Sequence, residues 1–255
     1  LPSLSPYSDL LHFHPICTLV HIQDCVFSVF HLMDPPHLLL PSTKMHSNSW
    51  PWKTFSPSEE VFRSVRILSS QHLVLNPTIS IGSVAWRGDK PLSESTRAYW
   101  EVEVDGSPYG TSVQFGIGRR HSLCRILDFV DLLGMDDNSY GLNHLGFAQR
   151  AGMKVRVSKP LEGINPRIGL LFDGPNRSLS FFINDEYLCT PFVDIDLSET
   201  LYPFVSSTSQ WTSLRLCNQY SKNEVLSLLS LTRRKVNDSF DSKFLNAILP
   251  KDILL

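Results

Sequence analysis

Hydrophobic and polar residues alternate along much of the chain after residue 50, with the period of two that is typical of β-strands. In residues 98–104, Trp100, Val102 and Val104 share one face of an extended segment, and Tyr99, Glu101 and Glu103 share the other. Residues 79–86 also alternate, and we predict one strand over this whole range. Shorter apolar runs predict further strands at 65–68, 73–75, 113–117, 168–172, 179–183, 187–189, 201–206 and 212–217.

Turn-forming residues separate these predicted strands. Residues 106–110 and 184–186 are rich in Gly, Pro, Ser, Asn and Asp, which favour turns. The run Asp-Gly-Pro-Asn at 173–176 stands between two apolar runs and predicts a hairpin. Several short strands joined by such turns predict a mostly β fold, an antiparallel β-sandwich.

The end of the chain has a helical period instead. Leu228, Leu229, Leu231 and Val236 fall on one side of a helix, because residues three and four apart are neighbours on its surface. A short helix with an apolar face needs a surface to pack against. Taken alone, the pattern fits either a partner protein or the chain's own sandwich.

Residues 1–49 differ in composition from the rest of the chain. They hold six of the nine histidines, no Gly or Arg, and one lysine, Lys44. We interpret them as a leader outside the folded domain, disordered or mistranslated, and Met45 as the expected start of the native protein. The apolar run 16–33 is broken by polar residues, so it is not predicted to span a membrane, and no basic region of a signal peptide precedes it.

Composition and charge narrow the class of protein. The chain has 255 residues, a net charge of −2 and a pI of about 6.5, which favours neither nucleic acid nor an anionic membrane as partner. Its five cysteines, Cys17, Cys25, Cys124, Cys189 and Cys217, form no C-x-x-C pair. This usage predicts free thiols in a reducing, intracellular compartment, the cytoplasm or the nucleus, with no metal site and no cofactor.

Candidate catalytic residues are few. Asp173, Asp185 and Glu186 stand in predicted hairpin turns, where acidic residues accept local backbone hydrogen bonds. The sequence contains no G-x-S-x-G, P-loop or H-E-x-x-H motif. We therefore expect a binding protein rather than an enzyme.

A set of short motifs, taken in order, is similar to a known family. They are Val84-Ala85-Trp86-Arg87-Gly88, Tyr99-Trp100-Glu101-Val102, Tyr109-Gly110-Thr111, Phe115-Gly116-Ile117-Gly118, the stretch 132–142 (LLGMDDNSYGL), Leu179-Ser180-Phe181-Phe182-Ile183-Asn184 and Leu201-Tyr202-Pro203-Phe204-Val205-Ser206. They resemble the SPRY domain-containing SOCS box proteins, and among these the third, more divergent member. The resemblance implies a SPRY domain at 50–218, which is a bent sandwich of two antiparallel sheets, and a SOCS-box-like helical tail at 222–255.

The resemblance also implies a function. Proteins of this family act as substrate-recognition adaptors of elongin BC/cullin-RING E3 ubiquitin ligases and are not catalytic. By position, Leu228, Leu231, Thr232 and Val236 would bind elongin C, and through it elongin B, with Thr232 where the family has a Cys. Leu249 and Pro250 would bind a cullin with its RING subunit. An apolar helix face that fills a groove explains this spacing.

The SPRY loops would hold the target protein through a short degron. The resemblance assigns this role to Tyr109, Thr111, Phe129, Leu132, Ser209 and Trp211. Asn76 and Thr78 stand where relatives have Arg and Pro, Phe129 replaces a Tyr, and Ser209 replaces a Trp. Losing the Arg removes a charge-assisted donor, so we expect a peptide other than the acidic, Asn-rich one of the best-described relatives. Phe129 and Leu132 fit a core position equally well.

Two other functions stay open on the sequence alone. One is a SPRY scaffold whose tail packs on its own domain and recruits no ligase. The other is a sandwich lectin or hydrolase, which sugar binding or turnover would reveal.

Overall fold

The computed structural model describes residues 49–52, 61 and 63–224, and these form a β-sandwich. The strands are β1 (Val65–Ser69), β2 (His72–Leu75), β3 (Ser83–Arg87), β4 (Thr96–Val104), β5 (Val113–Arg119), β6 (Arg125–Ile126), β7 (Ser139–Asn143), β8 (Phe147–Arg150), β9 (Met153–Arg156), β10 (Arg167–Asp173), β11 (Ser178–Ile183), β12 (Glu186–Phe192), β13 (Leu201–Ser207) and β14 (Thr212–Asn223). The predicted mostly β class is confirmed. The predicted tail helix lies outside the described residues.

The strands form two antiparallel sheets of seven strands each. One has the order β1-β2-β14-β4-β10-β11-β12, and the other has the order β6-β3-β13-β5-β7-β8-β9. The hairpin predicted at 173–176 joins β10 to β11, which pair from Ile168↔Ile183 to Asp173↔Ser178. Its turn is closed by the Asp173 carboxylate, which accepts the backbone N–H of Asn176 at 3.2 Å.

Alternate residues of both sheets form one core. Trp100, Val102 and Val104 are at most 2% exposed, so β4 presents to the core the face that its alternation predicted. Phe115 and Ile117 on β5 contribute to the same cluster from the second sheet. Face-to-face packing of two such sheets is the arrangement of a β-sandwich.

The strand predicted over 79–86 is shorter than expected, since β3 begins only at Ser83. Gly82 has a φ of 133°, and a Cβ there would lie 2.2 Å from the carbonyl oxygen of Ile126. The chain therefore turns at Gly82. Ile79 and Ile81 precede this turn and are 68% and 48% exposed.

β14 continues past residue 218, where the predicted domain ended. Its register against β4 shifts between Cys217 and Tyr220, and Asn218 has a φ of 43°. This β-bulge turns the Gln219 side chain inward, where it donates to the carbonyl oxygen of Trp50 at 2.8 Å. The bulge breaks the period of two, which is why the alternation stops being readable at this point.

Candidate functional site

Loops from both sheets meet at one end of the sandwich. They are residues 76–82 between β2 and β3, 105–112 between β4 and β5, 127–131 after β6, and 208–211 between β13 and β14. Hydrogen bonds between them, described below, hold them side by side. We term these four segments the loop surface.

Asn76 joins the first of these loops to the last. Its side-chain amide donates to the carbonyl oxygens of Ser207 at 3.3 Å and Ser209 at 3.1 Å. The backbone carbonyl oxygen of Asn76 accepts the backbone N–H of Trp211 at 2.9 Å. Asn76 is 3% exposed, and both amide hydrogens are used inside the protein. This position therefore presents no polar group to a ligand.

The loop 105–112 is bonded to the loop 208–211. The hydroxyl of Ser209 donates to the carbonyl oxygen of Tyr109 at 2.5 Å, and the Tyr109 hydroxyl donates to the carbonyl oxygen of Gln210. Gly110 has a φ of 82°, and a Cβ there would lie 2.1 Å from the Ser209 hydroxyl. The close approach of these loops therefore requires glycine at position 110.

The loop 76–82 is bonded to the same neighbour. The Ser80 hydroxyl donates to the carbonyl oxygen of Thr208 at 2.5 Å. The side-chain amide of Gln210 donates to the carbonyl oxygen of Thr78. Polar groups of both loops are thus used to bond one backbone to the other.

Ser83 holds the segment 127–131 against β3. Its hydroxyl lies 2.7 Å from the carbonyl oxygens of Asp128 and Val130 and accepts the backbone N–H of Val130 at 3.0 Å. The hydroxyl has one hydrogen, so it donates to one carbonyl at a time. Phe129, between these two anchored residues, is 50% exposed.

Asp131 anchors the C-terminal end of the segment 127–131. Its carboxylate accepts the Ser112 hydroxyl at 2.5 Å and the Asn143 side-chain amide at 3.0 Å, and it pairs with the Lys154 ammonium. The Asp131 side chain is 5% exposed, whereas that of Lys154 is 43% exposed. A buried carboxylate that is bonded from several sides fixes the segment more firmly than a solvated one would.

We expect Ser83→Ala to lower the free energy of unfolding by about 1–3 kcal/mol, because partly buried backbone groups of the segment 127–131 lose their partner. Urea unfolding followed by tryptophan fluorescence measures the change. Ser107→Ala is the matched control, since that hydroxyl donates to the carbonyl oxygen of Gly163 at an exposed site. An equal loss in both variants would contradict the anchoring role of Ser83.

The structure brings together most of the residues predicted to bind the target. Tyr109, Thr111, Phe129 and Trp211 are exposed on the loop surface. Ser209 is 5% exposed and acts through its bond to Tyr109. Leu132 is 2% exposed and packs in a small cluster with Ala85, Leu133 and Phe204, so of the two positions left open only Phe129 presents a side chain to solvent. Leu228, Leu231, Thr232, Val236, Leu249 and Pro250 lie outside the described residues.

Three further apolar residues of this region are exposed, and the sequence did not predict them as site residues. Ile79, Ile81 and Leu127 are 68%, 48% and 69% exposed. The two isoleucines continue the alternation of the predicted strand 79–86. The glycine at position 82, directly before the polar Ser83, is the signal that could have indicated the turn.

Burial shifts the pKa values of several titratable groups among the described residues. Burial raises the pKa of Cys124 to about 11, that of Cys189 to about 12 and that of Cys217 to about 11, so these thiols are protonated and unreactive near neutral pH. Burial lowers the pKa of His144, whose Nδ1 accepts the backbone N–H of Val113. Within the part of the chain that the structure describes, no cluster of His, Cys, Asp or Glu is arranged to hold a metal ion, and no helix is long and apolar enough to cross a membrane.

Comparison with known proteins identifies the domain. The family profile of the SPRY domain matches residues 97–217, from β4 to β14. The chain contains a SPRY domain. It superposes on the crystal structure of the TRIM65 PSpry domain with a TM-score of 0.52 at 19% sequence identity, over 67% of this chain and 90% of that one, which supports the same fold.

Curated proteins similar to this chain also carry SPRY in their names. The chain is 27% identical to SPRY domain-containing SOCS box protein 3 of Xenopus tropicalis over 203 residues, which are 76% of this chain and 53% of the relative. It is 32% identical to F-box/SPRY domain-containing protein 1 of Drosophila ananassae over 118 residues, 44% of this chain and 45% of the relative. The predicted resemblance to SPRY domain-containing SOCS box proteins is confirmed. The chain spans about half the length of the curated relatives it matches.

Proposed function

We propose that this chain is a substrate-recognition adaptor of an elongin BC/cullin-RING ubiquitin ligase. The SPRY loop surface would bind the target protein, and the tail at 222–255 would bind elongin C. The adaptor itself would make and break no covalent bond. It would raise the effective concentration of the target's lysines near the conjugating enzyme.

Exposed aromatic side chains on the loop surface support the proposal that it binds the target. Tyr109, Phe129 and Trp211 are each at least 50% exposed, although large apolar side chains are normally buried. The loops that carry them are joined to neighbouring segments by partly buried hydrogen bonds, so the rings are presented from a rigid base. Rigid aromatic side chains are preferred anchors at protein interfaces, because little conformational entropy is lost when they are covered.

The tail sequence supports the ligase-binding half. Leu228, Leu231, Thr232 and Val236 have the spacing of a helix that fills a hydrophobic groove. The relative from Xenopus tropicalis carries a SOCS box in its name beside the SPRY domain. Leu249-Pro250 follows these residues in the sequence, where a cullin-selecting segment would stand.

We expect Leu228→Asp to abolish co-purification of the full chain with elongin B and elongin C, because it puts a charge into an apolar groove. The measurement is affinity purification of the tagged chain co-expressed with both elongins, followed by size-exclusion chromatography. Ser230→Asp is the matched control. Ser230 is two residues after Leu228, so in a helix it would lie close to the side opposite Leu228. That variant is expected to keep the complex.

A well-folded wild-type chain that binds no elongin would instead favour the SPRY scaffold without ligase recruitment. Thr232 would then be the first residue to change. Thr232→Cys restores the family residue, and recovery of the complex would attribute the loss to the buried hydroxyl of Thr232.

A further inference from the structure

The loop surface inverts the usual distribution of side chains. Polar side chains of this region donate hydrogen bonds to the backbone of neighbouring loops. They are Asn76 and Ser80 in the loop 76–82, and Ser83 next to it. Ile79 and Ile81 of the same region are exposed instead. A loop whose polar groups point inward and whose aliphatic groups point outward is suited to cover apolar surface of another molecule.

The segment 127–131 repeats this inversion beside the first loop. Leu127 and Phe129 are 69% and 50% exposed, while the backbone between them is tied to Ser83. A Cβ at Gly82 would lie 2.8 Å from the Cα of Leu127, so the two segments are in direct contact. Apolar side chains of both loops therefore belong to one region of the surface.

One cation lies at the border of this region. The guanidinium of Arg66 on β1 is 5.9 Å from the ring centre of Trp211, and Arg66 makes no ion pair with any described residue. The backbone N–H of Trp211 donates to the backbone carbonyl oxygen of Asn76, the first residue of the loop 76–82. An exposed Arg held beside an aromatic ring is a ready partner for a carboxylate, because its guanidinium can donate two parallel hydrogen bonds.

We infer that the target segment is a short apolar peptide flanked by an acidic residue. Aliphatic or aromatic side chains of the peptide cover Ile79, Ile81, Leu127 and Phe129, and its carboxylate binds Arg66 beside Trp211. This inference rests on the proposed role of the loop surface in target binding and names the chemistry of the target. The charge that selects the peptide is that of Arg66 on β1. Position 76 contributes no group to the peptide, because the side-chain amide of Asn76 is hydrogen-bonded within the protein.

The test selects peptides from a phage-displayed library of short random sequences on the immobilised full chain. We expect enrichment of peptides with two or more Leu, Ile, Val or Phe and a neighbouring Asp or Glu. For a synthetic peptide from that pool, Phe129→Ser is expected to raise the dissociation constant by at least about tenfold. Tyr187→Ser, which removes an exposed ring of β12 outside the loop surface, is the matched control and is expected to leave it unchanged.

A charge swap isolates the role of Arg66. Arg66→Glu is expected to weaken the acidic peptide by about tenfold and to restore binding of the same peptide with Lys in place of its acidic residue. Melting temperatures of all variants exclude unfolding as the cause. A variant that merely disturbed the fold would weaken both peptides.

Several results would overturn this inference. Enrichment of polar peptides, no enrichment at all, or peptides that bind Phe129→Ser as well as wild type would each reject the apolar, acidic target class. A wild-type dimer that dissociates in Phe129→Ser, seen by light scattering, would show that a second copy covers the surface. Polar peptides that still depend on Phe129 would leave the proposed target-binding role intact, and the elongin experiment tests the tail independently.

Discussion

Replacing Trp100 with alanine is expected to destabilise the SPRY domain by about 3–5 kcal/mol, the cost of deleting a large ring from a packed core. Trp100 is 1% exposed and packs edge-on against Trp50, with ring centres 6.3 Å apart. It lies in β4, which pairs with both β10 and β14 near the centre of its sheet. The cavity would thus open where the surrounding strands can collapse least.

Thermal unfolding measures this loss. For a domain of this size, the melting temperature is expected to fall by about 6–20 °C. Trp211→Ala is the control, because that ring is 54% exposed and its removal is expected to change stability by at most about 0.5 kcal/mol. Similar melting temperatures for the two variants would contradict the assignment of Trp100 to the core.

Asp131→Ala is expected to lower the free energy of unfolding by about 2–5 kcal/mol. The carboxylate accepts hydrogen bonds from Ser112 and Asn143, both fully buried, and each donor left without a partner costs about 1–3 kcal/mol. Lys154 loses its partner at lower cost, since it is 43% exposed and can be solvated. Urea unfolding at pH 7 gives the value.

The same variant should also loosen the loop surface. Asp131 is the last residue of the segment that carries Phe129, and its bonds reach β7 and the loop 105–112. We expect faster hydrogen exchange at the amides of 127–131 than in wild type. Asp137→Ala is the control, because Asp137 is exposed and its side chain makes no hydrogen bond to any described residue. A loss of stability in Asp137→Ala that matches Asp131→Ala would reject the network as the cause.

Sequence alone predicted strands best where apolar residues alternate with polar residues or glycine. β4 and β5 show this alternation in their sequences, although both are largely buried on both faces, and both lie where it predicted them. β7 and β9 were both missed. In β7, Ser139, Gly141 and Asn143 are residues that also favour turns and they follow the acidic turn residues Asp136 and Asp137, so the segment resembles a turn although all five residues are buried. β9 has only four residues and is almost wholly exposed at the edge of its sheet, so Met153 and Val155 are too few to mark an apolar face.

The candidate target-binding residues were predicted through a family resemblance rather than through their own chemistry. Tyr109, Phe129 and Trp211 are all exposed on the loop surface, but the resemblance could not separate Phe129 from Leu132. Three residues apart on the same loop, one is 50% exposed and the other 2%. The difference depends on Ala85 and Phe204, which close over Leu132 from β3 and β13.

By itself, the sequence determined that the chain forms a β-sandwich with a SPRY signature, because alternation and turn chemistry are local properties of neighbouring residues. The tertiary structure alone decided which apolar residues are presented together to a partner. Ile79 and Ile81 face solvent because Ser80 bonds to Thr208, 128 residues away, and Phe129 does so because Ser83 holds the carbonyl of Val130, 47 residues away. Contacts between residues so far apart leave no period in the sequence, since they form only when strands distant in the chain pair, β3 with β13 and β3 with β6.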